Sequence, residues 1–317
     1  MHRRVWLSLL LLIAIAGMMA GCTASDPGAG ASGDQTKPEG TAAQASFPRT
    51  IKHMKGETVI KERPVKIAAP YLTFVDDLVV LDEIPVAAQG MAMMSSFPNL
   101  KKKLDGKPVI DLGKEVSMER LLASQPDLII ASNDMADQYD QLSQIAPTVI
   151  FPYTEDWKGT LQLIAGAIGK EEKAAAFLTE FDRKAKEYKA KLAVRSGETV
   201  LFAMYGGKQF ITFNEQRVAD FYKELGLKPV PGNEKGGSLS LETLATMNPD
   251  HIFIVNNYAT PIEKGVKETL KDNAIWNGMK APKSNQVYYI EDSSILGPMP
   301  LGKMIAIEEV MKAMGNR

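Results

Sequence analysis

The chain of 317 residues has one cysteine, three histidines and near balance of charge. A lone thiol, Cys22, excludes a disulfide framework. Histidine is too scarce and too scattered for a metal site of converging imidazoles. His2 lies at the N-terminus, His53 precedes the first α/β units, and His251 opens a strand at the end remote from the ligand-binding loops. With 37 Lys and Arg against 38 Asp and Glu, no basic surface is expected for a nucleic acid. No G-x-S-x-G elbow occurs. Gly236-Gly237-Ser238-Leu239-Ser240 misses that pattern, and no histidine is placed to serve a serine, so hydrolysis is not expected. The one G-x-G-x-x-G, at Gly28, Gly30 and Gly33, follows no strand and opens no helix; a dinucleotide site fails on context.

Long apolar runs are also lacking. The longest, Val5 to Ala20, falls short of the roughly 20 residues that span a bilayer, and it follows the basic residues His2, Arg3 and Arg4. It ends in Met19-Ala20-Gly21-Cys22, which resembles a bacterial lipobox with Met19 where Leu is usual. Residues 1–21 are therefore expected to be a lipoprotein signal peptide and Cys22 the lipidated residue. Residues 22–48 are rich in Gly, Ala, Ser, Thr and Pro and read as a flexible tether reaching some 25–30 Å.

The most informative positive feature is an internal repeat. SMERLLASQPDLIIASND, from Ser117 to Asp134, aligns without a gap on SLETLATMNPDHIFIVNN, from Ser240 to Asn257. Ser117/Ser240, Glu119/Glu242, Leu121/Leu244, Pro126/Pro249, Asp127/Asp250, Ile129/Ile252 and Asn133/Asn256 are identical. Each copy reads as a Ser-capped helix, a Pro-Asp turn and a buried strand. Two similar α/β lobes are expected, with a ligand crevice between them.

Strands and helices alternate through the first lobe, residues 49–168, as in a mainly parallel, doubly wound sheet. Between the copies, residues 169–193 are strongly helical, with Phe177, Phe181, Ala185, Tyr188 and Leu192 on one face. A helix of about 22 residues makes a rod of roughly 33 Å, suited to connect two lobes. The second lobe, residues 194–317, opens with a strand, a Gly206-Gly207 turn and a return strand, and closes with a helix from about Leu301 to Met314.

Together RTIKHMKGETVIKERPVKIA, SMERLLASQPDLIIAS, LSQIAPTVIF, WKGTLQLIAGAIGKEEKAAAFL, FYKELGL and SLETLATMNPDHIFIV, in this order and spacing, carry a resemblance from about Arg49 to the C-terminus. The chain resembles the iron-siderophore and vitamin B12 substrate-binding lipoproteins of ABC importers, the class with a rigid inter-lobe helix. The resemblance implies a non-enzymatic monomer, anchored by its lipid on the extracytoplasmic face of the cell membrane; because such a tether is most useful where no periplasm confines the protein, a Gram-positive cell is the expected setting. It also implies that Glu119 and Glu242, one per lobe, dock onto the permease dimer; both equally suit the first turn of a helix, where the dipole favours a carboxylate.

In an open α/β sheet, ligands sit beyond the carboxyl ends of the strands. That rule selects Tyr71, Met91, Met93, Lys114, Asn133 and Trp157 from the first lobe. From the second it selects Tyr205, Lys208, Asn256 and Tyr258. Aromatics, amides and thioethers suit a bulky ligand of low net charge, with Lys114, Lys208 and Arg217 the only evident cations. A ferric siderophore is the expected ligand. Its iron arrives already wrapped by oxygens, so neither a cofactor nor a protein metal site is expected, and the scarcity of cations points to a hydroxamate-type chelate. Trp157 is expected to report binding by its fluorescence. The alternatives are a haem or cobalamin binder of the same transporter class, for which Met91, Met93 or Met94 is an available axial ligand, and a surface chelatase or hydrolase.

Overall fold

A computed structural model describes residues 46–315. The expected signal peptide, Cys22 and nearly all of the tether lie outside the described residues. The described chain opens with an antiparallel hairpin, β1 (Arg49–His53) and β2 (Gly56–Ile60). Strand and helix then alternate through β3 (Ile67–Ala69), α1 (Leu72–Val80), β4 (Ala87–Ala88), α2 (Pro98–Leu104), β5 (Ile110–Asp111), α3 (Met118–Ala123), β6 (Leu128–Ser132), α4 (Tyr139–Ile145) and β7 (Thr148–Phe151). The sheet is parallel throughout, in the order β5-β4-β3-β6-β7. The hairpin lies on its β7 edge, where Thr58 Oγ1 donates to Thr148 O at 2.7 Å.

Side chains alternate along these strands, and both faces are dry. Leu128 and Ile130 enter a core with α1 and α5 (Trp157–Ile168), while Ile129 and Ala131 enter a second core with Leu121 and Leu142. Burial on both faces explains the continuous apolar run.

After α5 comes α6 (Glu171–Leu192), a helix of 22 residues. Its Ala174 packs into the first-lobe core, and its Phe181, Ala185 and Leu192 pack into the second. One rod is thus shared by two cores.

The second lobe runs β8 (Thr199–Tyr205), β9 (Phe210–Thr212), β10 (Lys228–Pro229), β11 (Gly237–Leu239), α7 (Leu241–Met247), β12 (His251–Asn256), α8 (Gly265–Leu270), α9 (Ala274–Gly278), α10 (Lys280–Lys283), β13 (Val287–Ile290) and α11 (Pro300–Met314). Its sheet has the order β11-β9-β8-β12-β13, and β10 also pairs with β8. Strands β8, β12 and β13 are parallel, whereas β9 and β11 add an antiparallel edge. The reversal occurs at Gly206-Gly207, where Gly207 takes a φ of +89° that other residues rarely adopt.

The repeat has a structural purpose that its sequence did not disclose. Asp127 accepts the backbone N–H groups of Val65 and Lys66 at 2.9–3.0 Å, just ahead of β3. Asp250 accepts the N–H and hydroxyl of Thr199 at 2.8 Å, at the start of β8. Each Pro-Asp therefore clamps the neighbouring parallel strand and sets its register. Ser117 and Ser240 cap their helices, accepting from Arg120 N and Thr243 N.

A second tie joins the lobes. Met299, at the start of α11, is buried in the first-lobe core, while Ala306, Ile307, Val310 and Met314 of the same helix pack in the second. Asp76 of α1 accepts the Leu301 N–H at 2.7 Å, so a first-lobe carboxyl caps a second-lobe helix. Asp76 and its neighbour Asp77 are fully buried. Burial, reinforced by Asp292, pushes the Asp76 carboxyl up to about 8, and Asp77 is also raised well above the usual range by burial.

Candidate functional site

The strand ends of both sheets face one crevice. On the first-lobe side, Tyr71 follows β3 and stands half-buried at the cap of α1. Its ring meets Phe74 edge-on at 5.1 Å and Tyr153 edge-on at 5.4 Å. Burial pushes both phenols up, so each presents a neutral O–H. Asn133, after β6, spends its amide oxygen on Tyr153 N–H at 2.6 Å and thereby fixes the loop after β7. Met91 and Met93 follow β4 on a short 3-10 turn, half-buried against the first-lobe core. Gly90 permits that turn, since its φ is +83° and an added Cβ would lie 3.1 Å from the Met93 methyl.

On the second-lobe side, Tyr258 is exposed and its ring lies 5.6 Å from that of Phe97, so an aromatic pair spans the crevice. Arg217 reaches across to Glu155, its Nη1 lying 3.4 Å from Oε1. The same guanidinium donates through Nε to Leu296 O at 2.8 Å and lies 4.8 Å from the centre of the Phe213 ring. Asp292 of the second lobe accepts from both the backbone and the amide of Asn99 at 2.8–3.1 Å. Near Asn99 opens a cleft of about 470 Å³, lined by Ser95 and Pro98 from one lobe and Ile254, Asn256 and Tyr289 from the other.

The expected ligand contacts divide on this geometry. Tyr71, Met91, Met93 and Asn133 follow first-lobe strand ends and are half-buried, and Tyr258 is exposed on the loop after β12. Lys114 and Lys208 are exposed on the rims of the crevice, Lys208 in a shallow hollow formed only by the second lobe. Two expectations are corrected, and a third residue lines the cleft with its amide already engaged. Trp157 is buried in the second-lobe core, edge-on to Phe181 at 4.9 Å, and its indole N–H is engaged by Asp220 at 3.2 Å. Tyr205 is buried on the far face of β8, stacked on Phe210, with its hydroxyl donating to Gly207 O at 2.9 Å. Asn256 spends both ends of its amide on the backbone of Ile262, bracing the loop after β12. Trp157 and Tyr205 therefore lie near strand ends but give their side chains to the scaffold.

Sequence reasoning gave Phe97 and Glu155 no individual role, and it marked Arg217 only by its charge. Phe97 lies beyond the Met-rich loop, and Glu155 meets Arg217 only because the lobes are apposed.

Glu119 and Glu242 are both exposed in the first turns of α3 and α7, at matching places in the two lobes. The Glu242 carboxyl is held below its usual range by its own backbone N–H and then by the Ser240 hydroxyl.

A family model described as periplasmic binding protein matches residues 67–293. The iron(3+)-hydroxamate-binding protein YxeB of Bacillus subtilis (strain 168) is 28% identical over 284 residues, covering 84% of this chain and 86% of that protein. The ferric-anguibactin-binding protein FatB of Vibrio anguillarum is 29% identical over 285 residues, covering 84% of this chain and 87% of that protein. Among solved structures, the siderophore-binding protein BauB, bound to two acinetobactin molecules and ferric iron, superposes with a TM-score of 0.70. It is 26% identical, over 84% of this chain and 99% of that one.

Proposed function

The chain belongs to the periplasmic binding protein family, and from that premise we propose that it captures a ferric siderophore and delivers it to an ABC importer. It is a binding protein, not an enzyme. The observation that carries the choice of cargo is the crevice wall. Tyr71, Tyr153 and Tyr258 supply neutral aromatic surface, Met91 and Met93 supply polarizable apolar contact, and Arg217, which reaches from one lobe to the other, already faces a carboxylate.

The named cargoes of the relatives differ, so charge decides the chelate class. A hydroxamate-type complex, compact and of low net charge, fits this wall better than a catecholate polyanion, which needs several unpaired cations. Lys114, Lys208 and Asn133 would make the polar rim contacts. Iron enters as cargo inside its chelate, so no resident cofactor is proposed.

Delivery is proposed to use Glu119 and Glu242 as matched contacts for the two permease subunits, and Cys22 as the lipid anchor that keeps the monomer on the extracytoplasmic face of the membrane. The lipid anchor has its greatest use in a Gram-positive cell, which has no periplasm to confine the protein. No helix among the described residues is long and apolar enough to cross a membrane.

A fluorescence titration of the purified protein with hydroxamate, citrate and catecholate iron complexes tests the reading, and saturable binding of a hydroxamate complex is expected. Silence across that panel, with a haem absorbance change instead, would replace the siderophore by haem.

A further inference from the structure

Glu155 and Arg217 form an ion pair built across the crevice by two independently fixed backbones. Glu155 sits between the end of β7 and the start of α5, where Asp156 caps the helix by accepting from Gly159 N at 3.0 Å and Glu155 O accepts from Trp157 N at 3.0 Å. Arg217 is held from three sides. Its N–H donates to Asn214 Oδ1 at 2.9 Å, its carbonyl accepts from the buried Lys303 ammonium at 3.0 Å, and its Nε is spent on Leu296 O. Both side chains are 22% exposed, at the wall and not out in solvent.

The contact itself is loose. At 3.4 Å through a single nitrogen it lies beyond the 2.7–2.9 Å usual for a charge-assisted hydrogen bond. Among the described residues Nη2 makes no hydrogen bond. The pair therefore cancels charge without using up the donors: a ligand meets N–H groups but no net positive field.

Resting on the siderophore reading above, we infer that Glu155 is a specificity determinant that screens Arg217, admitting chelates of low charge and disfavouring polyanionic ones. A neutral iron(III) trihydroxamate can accept from the free guanidinium N–H groups while Glu155 stays in place. A trianionic iron(III) tricatecholate must approach the Glu155 carboxylate as closely as it approaches the guanidinium. Attraction and repulsion then largely cancel, and the desolvation cost of the trianion is left uncompensated. Tyr153, whose phenol feels the charges of both Arg217 and Glu155, lies beside the pair.

The test is calorimetric titration of the full-length protein and of its Glu155→Gln and Glu155→Asp variants, each with a neutral cyclic iron(III) trihydroxamate and a trianionic iron(III) tricatecholate. Glu155→Gln is expected to tighten tricatecholate binding by about ten- to a hundredfold while trihydroxamate binding changes by no more than about threefold. Glu155→Asp, which keeps the charge, should retain the wild-type ratio of the two affinities. An unchanged ratio in Glu155→Gln, with the wild-type melting temperature retained, overturns the inference. A ratio that shifts equally in Glu155→Asp also overturns it, because packing and not charge would then be responsible. If the unmodified protein binds neither chelate, the siderophore reading itself fails, a result distinct from both.

Discussion

The Lys303 ammonium lies 3.0 Å from the Asp220 carboxylate, and the two side chains are only 1% and 11% exposed. The same carboxylate accepts the Trp157 indole N–H, and the same ammonium donates to Arg217 O. One buried ion pair thus ties α11, the start of α5 and the Arg217 backbone into a single network behind the crevice. Buried charges held this way make little net contribution as a pair, but neither can be removed alone without leaving the other stranded.

Replacing Lys303 by Met is accordingly expected to destabilise the protein by about 3–5 kcal/mol, since Asp220 would be left as an unpaired buried carboxylate. Adding Asp220→Asn should recover part of that loss. Urea unfolding of the three variants measures both effects, and additive losses in the double variant would contradict the coupling.

Asp76 gives a pH dependence whose sign is set by its direction of shift. The folded protein holds this carboxyl near 8, against 3.8 for the free group. Between those values the folded state keeps a proton that the unfolded chain has lost, so stability falls as pH rises through that window. Asp76→Asn keeps an acceptor for Leu301 N–H and removes the titration. The variant is expected to melt higher than wild type above pH 8, and its melting temperature should be flatter between pH 4 and pH 8. Parallel melting profiles for the two proteins would refute this.

Glu119 and Glu242 are exposed, and neither makes a contact that the lobes need. Glu119→Ala with Glu242→Ala is expected to leave siderophore affinity within about twofold and the melting temperature unchanged, while iron-chelate uptake by cells is lost. Normal uptake by the double variant would withdraw the docking role.

Cys22→Ser is expected to release the protein into the culture medium with its ligand affinity intact. Fractionation of cells expressing the variant decides the point, and retention in the membrane fraction would dismiss lipidation at Cys22.

The architecture was legible because it rests on local rules. Apolar runs between Pro-Asp and Asn marked strands buried on both faces, Ser at a helix start marked α3 and α7, and the gapless repeat marked two lobes. The strand-end rule also put Tyr71, Met91, Met93, Asn133 and Tyr258 on the loops that follow the strands. It failed for the buried Trp157 and Tyr205 because it locates a backbone and not the direction of a side chain. Tyr205 points to the far side of β8 by strand alternation, Trp157 finds Asp220 in the opposite lobe, and Asn256 is consumed by its own loop.

By itself, then, the sequence determined what short-range periodicity and capping can encode: two α/β lobes, the helix between them and the loops that face the gap. Only the tertiary structure decided which side chains of those loops remain free. Glu155 meets Arg217, Lys303 meets Asp220, and Asp76 caps α11 through pairings between residues more than sixty positions apart in the chain. Such long-range pairings leave no periodic trace in the sequence. They form only when distant stretches of the chain have packed together, within the second lobe for Lys303 and Asp220 and between the lobes for the other two, so no local pattern can announce them.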